Sequence, residues 1–185
     1  IVKYQTATRD AFLGGTLTVA QPAKGFRSGL ASVLLGAAVG PGRGTSLDRV
    51  AGGVTAALVA LAQQAELQAT LVENDAETLA LARENLASNG FASRAEVLAL
   101  DVVASGAVRA AAGLSTGHFG SVIANPPFFE TGTRASARGA AARHMTAEAL
   151  DLWVKTAAGH AAPGGEVIFV HVAEKLPALL AAFTA

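Results

Sequence analysis

Five short apolar segments alternate with helical segments, and this alternation restricts the possible folds more than any other feature of the sequence. The apolar segments cover residues 46–50, 69–73, 95–100, 119–124 and 166–171. Alternating strands and helices form βαβ units, whose right-handed crossovers place the strands parallel in one sheet with helices on both faces. The sequence therefore predicts a doubly wound α/β fold of the Rossmann-like type with a mostly parallel sheet.

Composition excludes several classes of protein. With 51% hydrophobic and 15% charged residues, the 185-residue chain can bury a real core and is not expected to be disordered. Fourteen basic and fourteen acidic side chains cancel, so no overall field attracts nucleic acid, although a local patch remains possible. The absence of cysteine excludes disulfides, thiolate zinc sites and thiol nucleophiles.

The sequence also gives an expectation for location. No apolar run reaches the length of about 18 residues that a membrane span needs. The first ten residues lack the apolar region of a signal peptide. We therefore expect a cytoplasmic protein with no membrane partner and no metal, since its four histidines have no metal-like spacing.

The first forty residues predict an extension that precedes the alternating pattern. Residues 16–20 alternate between apolar and polar side chains and predict a strand. A helix is expected from residue 30, with Ser28 as its N-cap. We expect residues 1–40 to pack on a core formed by residues 41–185, the whole being one domain.

The tetrapeptide Asn125-Pro126-Pro127-Phe128 directly follows the strand predicted over 119–124. Because proline ends the strand ladder and favours extended geometry in the residue before it, Asn125 is held at the carboxyl end of the strand. The side-chain carbonyl of Asn125 and the backbone carbonyl of Pro126 offer two acceptors to an NH₂ group, and Phe128 offers a stacking face. The pattern favours a clamp for a planar amine, although Asn-Pro-Pro can also be a plain loop.

Polar residues follow three other predicted strands. Asp48 and Gly52 belong to a strand, glycine turn and helix that would suit a nucleotide-like ligand or form an ordinary turn. Glu73 ends the next strand, where a carboxylate can accept both hydroxyls of a ribose; Asn74 or Asp75 would cap the following helix. After the third strand, Asp101-Val102 could face an adenine amine, or Asp101 could be a solvated turn acid.

A basic stretch follows the tetrapeptide. Residues 131–145 contain three arginines and a histidine but no acid, and arginine suits phosphate. Two cations near the N-terminus could extend this patch, although a solvated loop would have the same composition. The candidate residues for binding phosphate, such as that of a nucleic acid, are Lys24, Arg27, Arg134, Arg138, Arg143 and His144.

The tetrapeptide matches the [N/D]-P-P-[Y/F/W] motif of class I S-adenosylmethionine-dependent amino-methyltransferases. The chain resembles, over about residues 10 to 180, the subgroup that methylates adenine N6 in tRNA1(Val). This narrower resemblance lies in residues 21–29, 33–35, 72–73, 82–85 and 142–144. The motif is shared with glutamine N5-methyltransferases and DNA adenine methyltransferases, so it does not define the substrate.

The resemblance implies a role for each matching residue. Asp48 and Gly52 would hold the methionine part of S-adenosylmethionine, Glu73 its ribose, and Asp101 with Val102 its adenine. The residues implied to act on the methyl acceptor are Asn125, Pro126, Pro127 and Phe128, with Asn125 also bordering the cofactor. The implied reaction is direct in-line methyl transfer to an exocyclic amine of RNA, in which positioning and desolvation replace a general base.

Three departures from the family pattern leave other functions open. Val50 and Val54 stand where the family has glycines, and Ala31 stands where it has Asp. These changes favour, as an alternative, a methyltransferase-like fold without cofactor that binds RNA or protein. Methylation of a protein glutamine at N5 is a further alternative. The family fold has two more strands, so we expect a truncated sheet with 166–171 at an open edge.

Overall fold

A computed structural model of the chain describes residues 7–23, 27–49, 54–126 and 147–184. The strands in these ranges are β1 (Ala7–Phe12), β2 (Leu17–Pro22), β3 (Thr45–Arg49), β4 (Gln68–Glu73), β5 (Ala95–Ala99), β6 (Phe119–Ala124) and β7 (Ala161–Phe169). The helices are α1 (Leu30–Ala37), α2 (Thr55–Gln63), α3 (Ala76–Ser88), α4 (Gly106–Ala111), α5 (Ala147–His160) and α6 (Leu176–Thr184).

The central sheet is parallel and has the order β5-β4-β3-β6-β7. The chain runs from β3 outward through β4 to β5, and then crosses to the other side of β3 for β6 and β7. The strand order therefore reverses between β3 and β6, and ligands of such sheets bind at the carboxyl ends of the strands on either side of that point. The predicted parallel α/β fold is confirmed.

Helices cover both faces of the sheet. On one face α1, α2 and α3 share a hydrophobic cluster to which α2 contributes Leu58, Val59 and Leu61. On the other face, Trp153 of α5 packs in a second cluster with the ends of β5 and β6. The side chain of Trp153 is buried and fills the core between helix and sheet.

Three local predictions were wrong. Strand β1 was missed because half of its six residues are polar and none of them is buried. Strand β7 begins at Ala161 rather than at residue 166, since residues 163–165 continue the strand through a register shift opposite β6. Ser28 does not cap α1: Gly29 is the N-cap and makes no side-chain bond, while the Ser28 N–H donates to Gln21 Oε1 at 2.6 Å.

Asn85 of α3 and Asn89, the C-cap of that helix, hold the β1–β2 hairpin on the core. The Ala20 N–H donates to Asn85 Oδ1 at 2.7 Å, and Asn85 Nδ2 donates to the Ala20 carbonyl at 2.9 Å. One turn later, Asn89 makes the same pair of bonds with the Thr18 N–H and carbonyl, at 3.0 and 2.8 Å. Asn85 is 1% exposed, so its bonds satisfy backbone groups of Ala20 away from water.

Replacing Asn85 by Ala should destabilise the fold by about 2–3 kcal/mol, because the Ala20 N–H and carbonyl would lose their partners in a buried place. Asn89→Ala is the matched control, since Asn89 makes the equivalent bonds in a more exposed position. Asn89→Ala should lower the free energy of unfolding by about 1 kcal/mol or less. Urea unfolding of both variants measures the difference, and equal losses would contradict the anchoring role of Asn85.

Candidate functional site

The candidate site lies at the carboxyl ends of four neighbouring strands. Asp48 stands next to the last residue of β3, and Glu73 ends β4. Asp101 follows β5, and Asn125 follows β6. Because parallel strands place their carboxyl ends at the same edge of the sheet, the structure brings the four predicted polar residues to one edge.

Asp48 is buried and bonds to the first turn of α2. Its side chain is 3% exposed, and its Oδ2 accepts the Ala57 N–H at 3.0 Å. Val54, the N-cap residue of α2, offers no side-chain acceptor of its own. The carboxylate of Asp48 therefore supplies a cap for α2 from the neighbouring strand, where the helix dipole favours negative charge.

The pKa of the Asp48 carboxyl is raised from 3.8 to about 7. Burial is the main cause, since it penalises the charged form. The hydrogen bond from the Ala57 N–H opposes this increase in pKa, and the nearby negative charge of Glu73 adds to it. Protonation of Asp48 therefore takes place near neutral pH.

Glu73 closes the turn after β4. Its Oε1 accepts the N–H groups of Asn74 and Asp75, at 2.7 and 2.9 Å. Its side chain is buried, so the carboxylate is fixed in orientation at the sheet edge. Asp75 caps α3, as predicted, by accepting the Thr78 N–H at 2.8 Å. One oxygen of Glu73 is thus engaged by its own turn, while binding of a ribose stays a prediction.

The two residues after β5 differ in exposure. Asp101 is exposed, and its Oδ1 accepts the Val103 N–H at 3.1 Å, which is the geometry of a turn acid. Val102 is buried and packs in the cluster that contains Trp153. The contact of these residues with an adenine stays a prediction.

At this edge of the sheet, the side-chain oxygen of Asn125 indicates most about the ligand. Its Oδ1 is buried, and no group in the described part of the chain donates a hydrogen bond to it. Pro126 beside it is buried, and Ala124 before it ends β6 fully buried. A buried acceptor without a donor is costly and is rare in folded proteins. Such an atom therefore suits a ligand that supplies an N–H.

The sequence analysis missed Arg49, the last residue of β3. Its side chain is 0% exposed and lies on the opposite face of the sheet from Asp48, as alternation along a strand requires. It donates to the Trp153 carbonyl and, at 2.6 Å, to Thr156 Oγ1 of α5. A basic residue in an otherwise buried strand was the only signal for it, because arginine is rarely buried unless paired.

Arg27 is engaged within the N-terminal hairpin. Its guanidinium donates to Asp10 Oδ2 at 2.7 Å, to Thr8 Oγ1 at 2.8 Å and to the Pro22 carbonyl at 2.9 Å. These bonds connect β1 to the segment that leads into α1. Arg27 thus has a structural role, and its part in RNA binding stays a prediction.

Val54 replaces a glycine of the family pattern without backbone strain. Its φ of −83° is available to any residue, and its side chain is buried in the cluster with Val19 and Leu58. Nine other predicted positions lie outside the described residues. They are Lys24, Val50, Gly52, Pro127, Phe128, Arg134, Arg138, Arg143 and His144.

Two kinds of feature are absent from the described residues. None of their helices combines the length and the apolar character that crossing a membrane requires. No three His, Cys, Asp or Glu side chains in these ranges form a group that could hold a metal ion.

The raised pKa of Asp48 predicts a pH dependence of stability. Between pH 3.8 and about 7 the folded chain binds a proton at Asp48 that the unfolded chain has lost, so the free energy of unfolding falls as pH rises. The Asp48→Asn variant lacks this titration, but its amide oxygen could still accept the Ala57 N–H. The stability of wild type relative to this variant should therefore fall by up to about 1.4 kcal/mol per pH unit. Urea unfolding at pH 4 to 8 measures this difference, and a constant difference would contradict the assignment.

The chain matches one protein family over most of its length. The family model described as methyltransferase small domain covers residues 30–181. No curated protein matches the chain.

Solved structures with the same fold include three from bacteria and archaea. A predicted O-methyltransferase from Agrobacterium tumefaciens is 25% identical with a TM-score of 0.65, over 82% of this chain and 65% of that one. TYW2 from P. horikoshii in complex with MeSAdo is 12% identical with a TM-score of 0.65, over 96% and 58%. TrmN from Thermus thermophilus is 22% identical with a TM-score of 0.56, over 82% and 39%.

This chain thus spans less than two thirds of the length of these structures. The likeness to the archaeal and Thermus proteins, at 12% and 22% identity, shows the fold. The family model covers far more than half of the chain and begins at α1. By this match, and with the parallel sheet and its strand order as described, the chain belongs to the methyltransferase small domain family.

Proposed function

We propose that this protein is an S-adenosylmethionine-dependent N-methyltransferase that acts on an exocyclic amine, adenine N6 in tRNA or another structured RNA. Family membership supports methyl transfer. The observation that carries the choice of an amine is the buried Asn125 Oδ1, which has no donor in the described part of the chain. An amine N–H would supply the missing donor.

The residues at the sheet edge fit S-adenosylmethionine, the cofactor of class I methyltransferases. This cofactor supplies an activated methyl group on a sulfonium. Glu73 would hold the ribose hydroxyls, since its buried carboxylate is oriented by two backbone N–H groups. Asp101 is exposed and could accept from the adenine amine, with buried Val102 beneath it. Asp48, already bonded to α2, would act mainly by fixing the start of that helix.

Asn125 and Pro126 would hold the acceptor amine. A neutral amine NH₂ group has two hydrogens, which match the side-chain carbonyl of Asn125 and the backbone carbonyl of Pro126. With both hydrogens accepted by the protein, the nitrogen lone pair is left to face the sulfonium methyl of the cofactor. Phe128, outside the described residues, would stack on the ring that carries the amine. The Agrobacterium neighbour is described as a predicted O-methyltransferase, but a hydroxyl has a single hydrogen and would satisfy only one acceptor.

RNA is favoured over protein as the substrate by the sequence. The resemblance to adenine-N6 methyltransferases of tRNA extends beyond the shared tetrapeptide, and residues 134–143 contain three arginines and no acid. Arginine binds phosphate through a planar fork of donors. Methylation of a protein glutamine at N5 would use the same amine clamp and is the alternative within enzymes.

The second candidate function is an interaction module that binds no cofactor. Val50 and Val54 in place of glycines favour it, because a side chain there could block the approach of the cofactor to the backbone. The buried position and ordinary φ of Val54 argue against a block at that residue. Calorimetry distinguishes the two functions. We expect the protein to bind S-adenosylmethionine with micromolar affinity. The absence of heat of binding at millimolar S-adenosylmethionine would favour the interaction module.

Substrate class can be tested by transfer of a tritiated methyl group to total tRNA and to total protein. We expect label in tRNA, recovered as N6-methyladenosine after digestion. Label in protein as N5-methylglutamine would overturn the RNA assignment but keep the amine clamp. Label on a hydroxyl oxygen would overturn the clamp as well.

Asn125→Ala should reduce methyl transfer at least about 100-fold, because the acceptor amine would no longer be oriented. Affinity for S-adenosylhomocysteine should stay within about threefold by calorimetry, since the change leaves Glu73 and Asp101 in place. Asn125→Asp is the control, because it keeps an acceptor oxygen and the motif admits Asp. Full turnover by Asn125→Ala would contradict the clamp.

A further inference from the structure

Arg49 is a buried cation without a carboxylate partner. Its side chain is fully buried, and none of the acids in the described ranges forms an ion pair with it. Its Nε has no hydrogen-bond partner in those ranges. The pKa of its guanidinium is lowered to about 9, mainly by burial and also by the positive charge of Arg109, while Asp101 opposes the decrease. The group therefore stays charged at neutral pH, at a cost in desolvation.

Among the described residues, the partners whose bonds offset this cost lie on α5. The guanidinium donates to the Trp153 carbonyl and to Thr156 Oγ1, and its carbon lies 4.6 Å from the centre of the Trp153 ring. Thr156 Oγ1 in turn donates to the Leu152 carbonyl at 2.7 Å. A planar guanidinium that both donates hydrogen bonds and stacks on a ring fixes the position of the partner helix more closely than apolar contact does.

Trp153 connects this contact to the candidate site. It belongs to the same buried cluster as Leu100 and Val102, beside the end of β5, and as Ala124, the residue before Asn125. Arg49 itself follows Asp48 and pairs in register with Ala124. A shift of α5 relative to β3 would therefore change the packing beneath both the cofactor residues and Asn125.

We propose that Arg49 is a positioning residue that fixes α5 against the end of β3 and thereby holds Asn125 in place relative to the cofactor residues. The effect on Asn125 and the cofactor residues rests on the proposed methyl transfer. The fixing of α5 by Arg49 does not depend on that proposal. An apolar residue of similar size would avoid the cost of a buried charge and often stabilises a protein. An arginine in this place thus serves orientation better than it serves stability.

The test compares Arg49→Met with Arg94→Met. Arg94 is a matched control, because it also donates to backbone carbonyls and stacks on an aromatic ring, Phe91. It precedes β5 and lies at the opposite end of the sheet from the site. Arg49→Lys keeps the charge but loses the fork, and should recover only part of any lost rate.

Three measurements are required for each variant. At saturating cofactor, the single-turnover rate of methyl transfer to total tRNA should fall at least about tenfold in Arg49→Met and stay unchanged in Arg94→Met. Affinity for S-adenosylhomocysteine should stay within about threefold in both. Hydrogen exchange should show the amides of residues 150–158 exchanging at least about tenfold faster in Arg49→Met alone.

A transfer rate within threefold of wild type, or a loss of rate matched by an equal loss of cofactor affinity, would overturn the role in positioning. Unchanged exchange in α5 would overturn it too. If wild type transfers no methyl group to RNA or protein, the proposed function fails and the exchange measurement alone decides whether Arg49 fixes α5. If Arg49→Met does not fold, Arg49→Lys is measured in its place with the same criteria.

Discussion

Two ionisable side chains are buried next to each other at the end of the central strand, and each of them holds a helix on its own face of the sheet. Asp48 and Arg49 point to opposite faces because successive residues of a strand alternate. Asp48 accepts an N–H from α2 on one face, and Arg49 donates to α5 on the other. Both groups are costly to bury in their charged forms. The hydrogen bonds that offset this cost form only while α2 and α5 stay in place.

The candidate site lies beside this pair and consists of few polar groups. Most of its polar atoms are already oriented by the backbone: Glu73 by two N–H groups of its own turn, and Asp101 by the Val103 N–H. Asn125 Oδ1 is the exception, as a buried acceptor that no described residue satisfies. A buried acceptor that is already fixed in place binds a hydrogen-bond donor at low entropic cost.

The strands of the sheet could be predicted from the sequence more fully than the contacts between side chains. Strand β6 was predicted at its observed bounds, and β3, β4 and β5 within a residue, because apolar runs between turn residues define them. The candidate polar residues followed from their place after these strands. The contacts of Arg49, Asn85 and Arg27 could not be predicted, since each joins residues distant in sequence and an isolated polar side chain has no periodicity. Strand β1 was missed because none of its residues is buried.

The asparagines at positions 85 and 89 have a consequence for solubility. Four helical residues rise about 6.0 Å, and two strand residues advance about 6.8 Å, so amides one turn apart on α3 reach alternate residues of β2. The helix thus presents to the strand the donors and acceptors of a neighbouring strand. On the edge of β2 that faces α3, the N–H and carbonyl groups of Thr18 and Ala20 are bonded to asparagine side chains. These groups cannot pair with a strand of another molecule, so the helix protects the hairpin from aggregation along that edge.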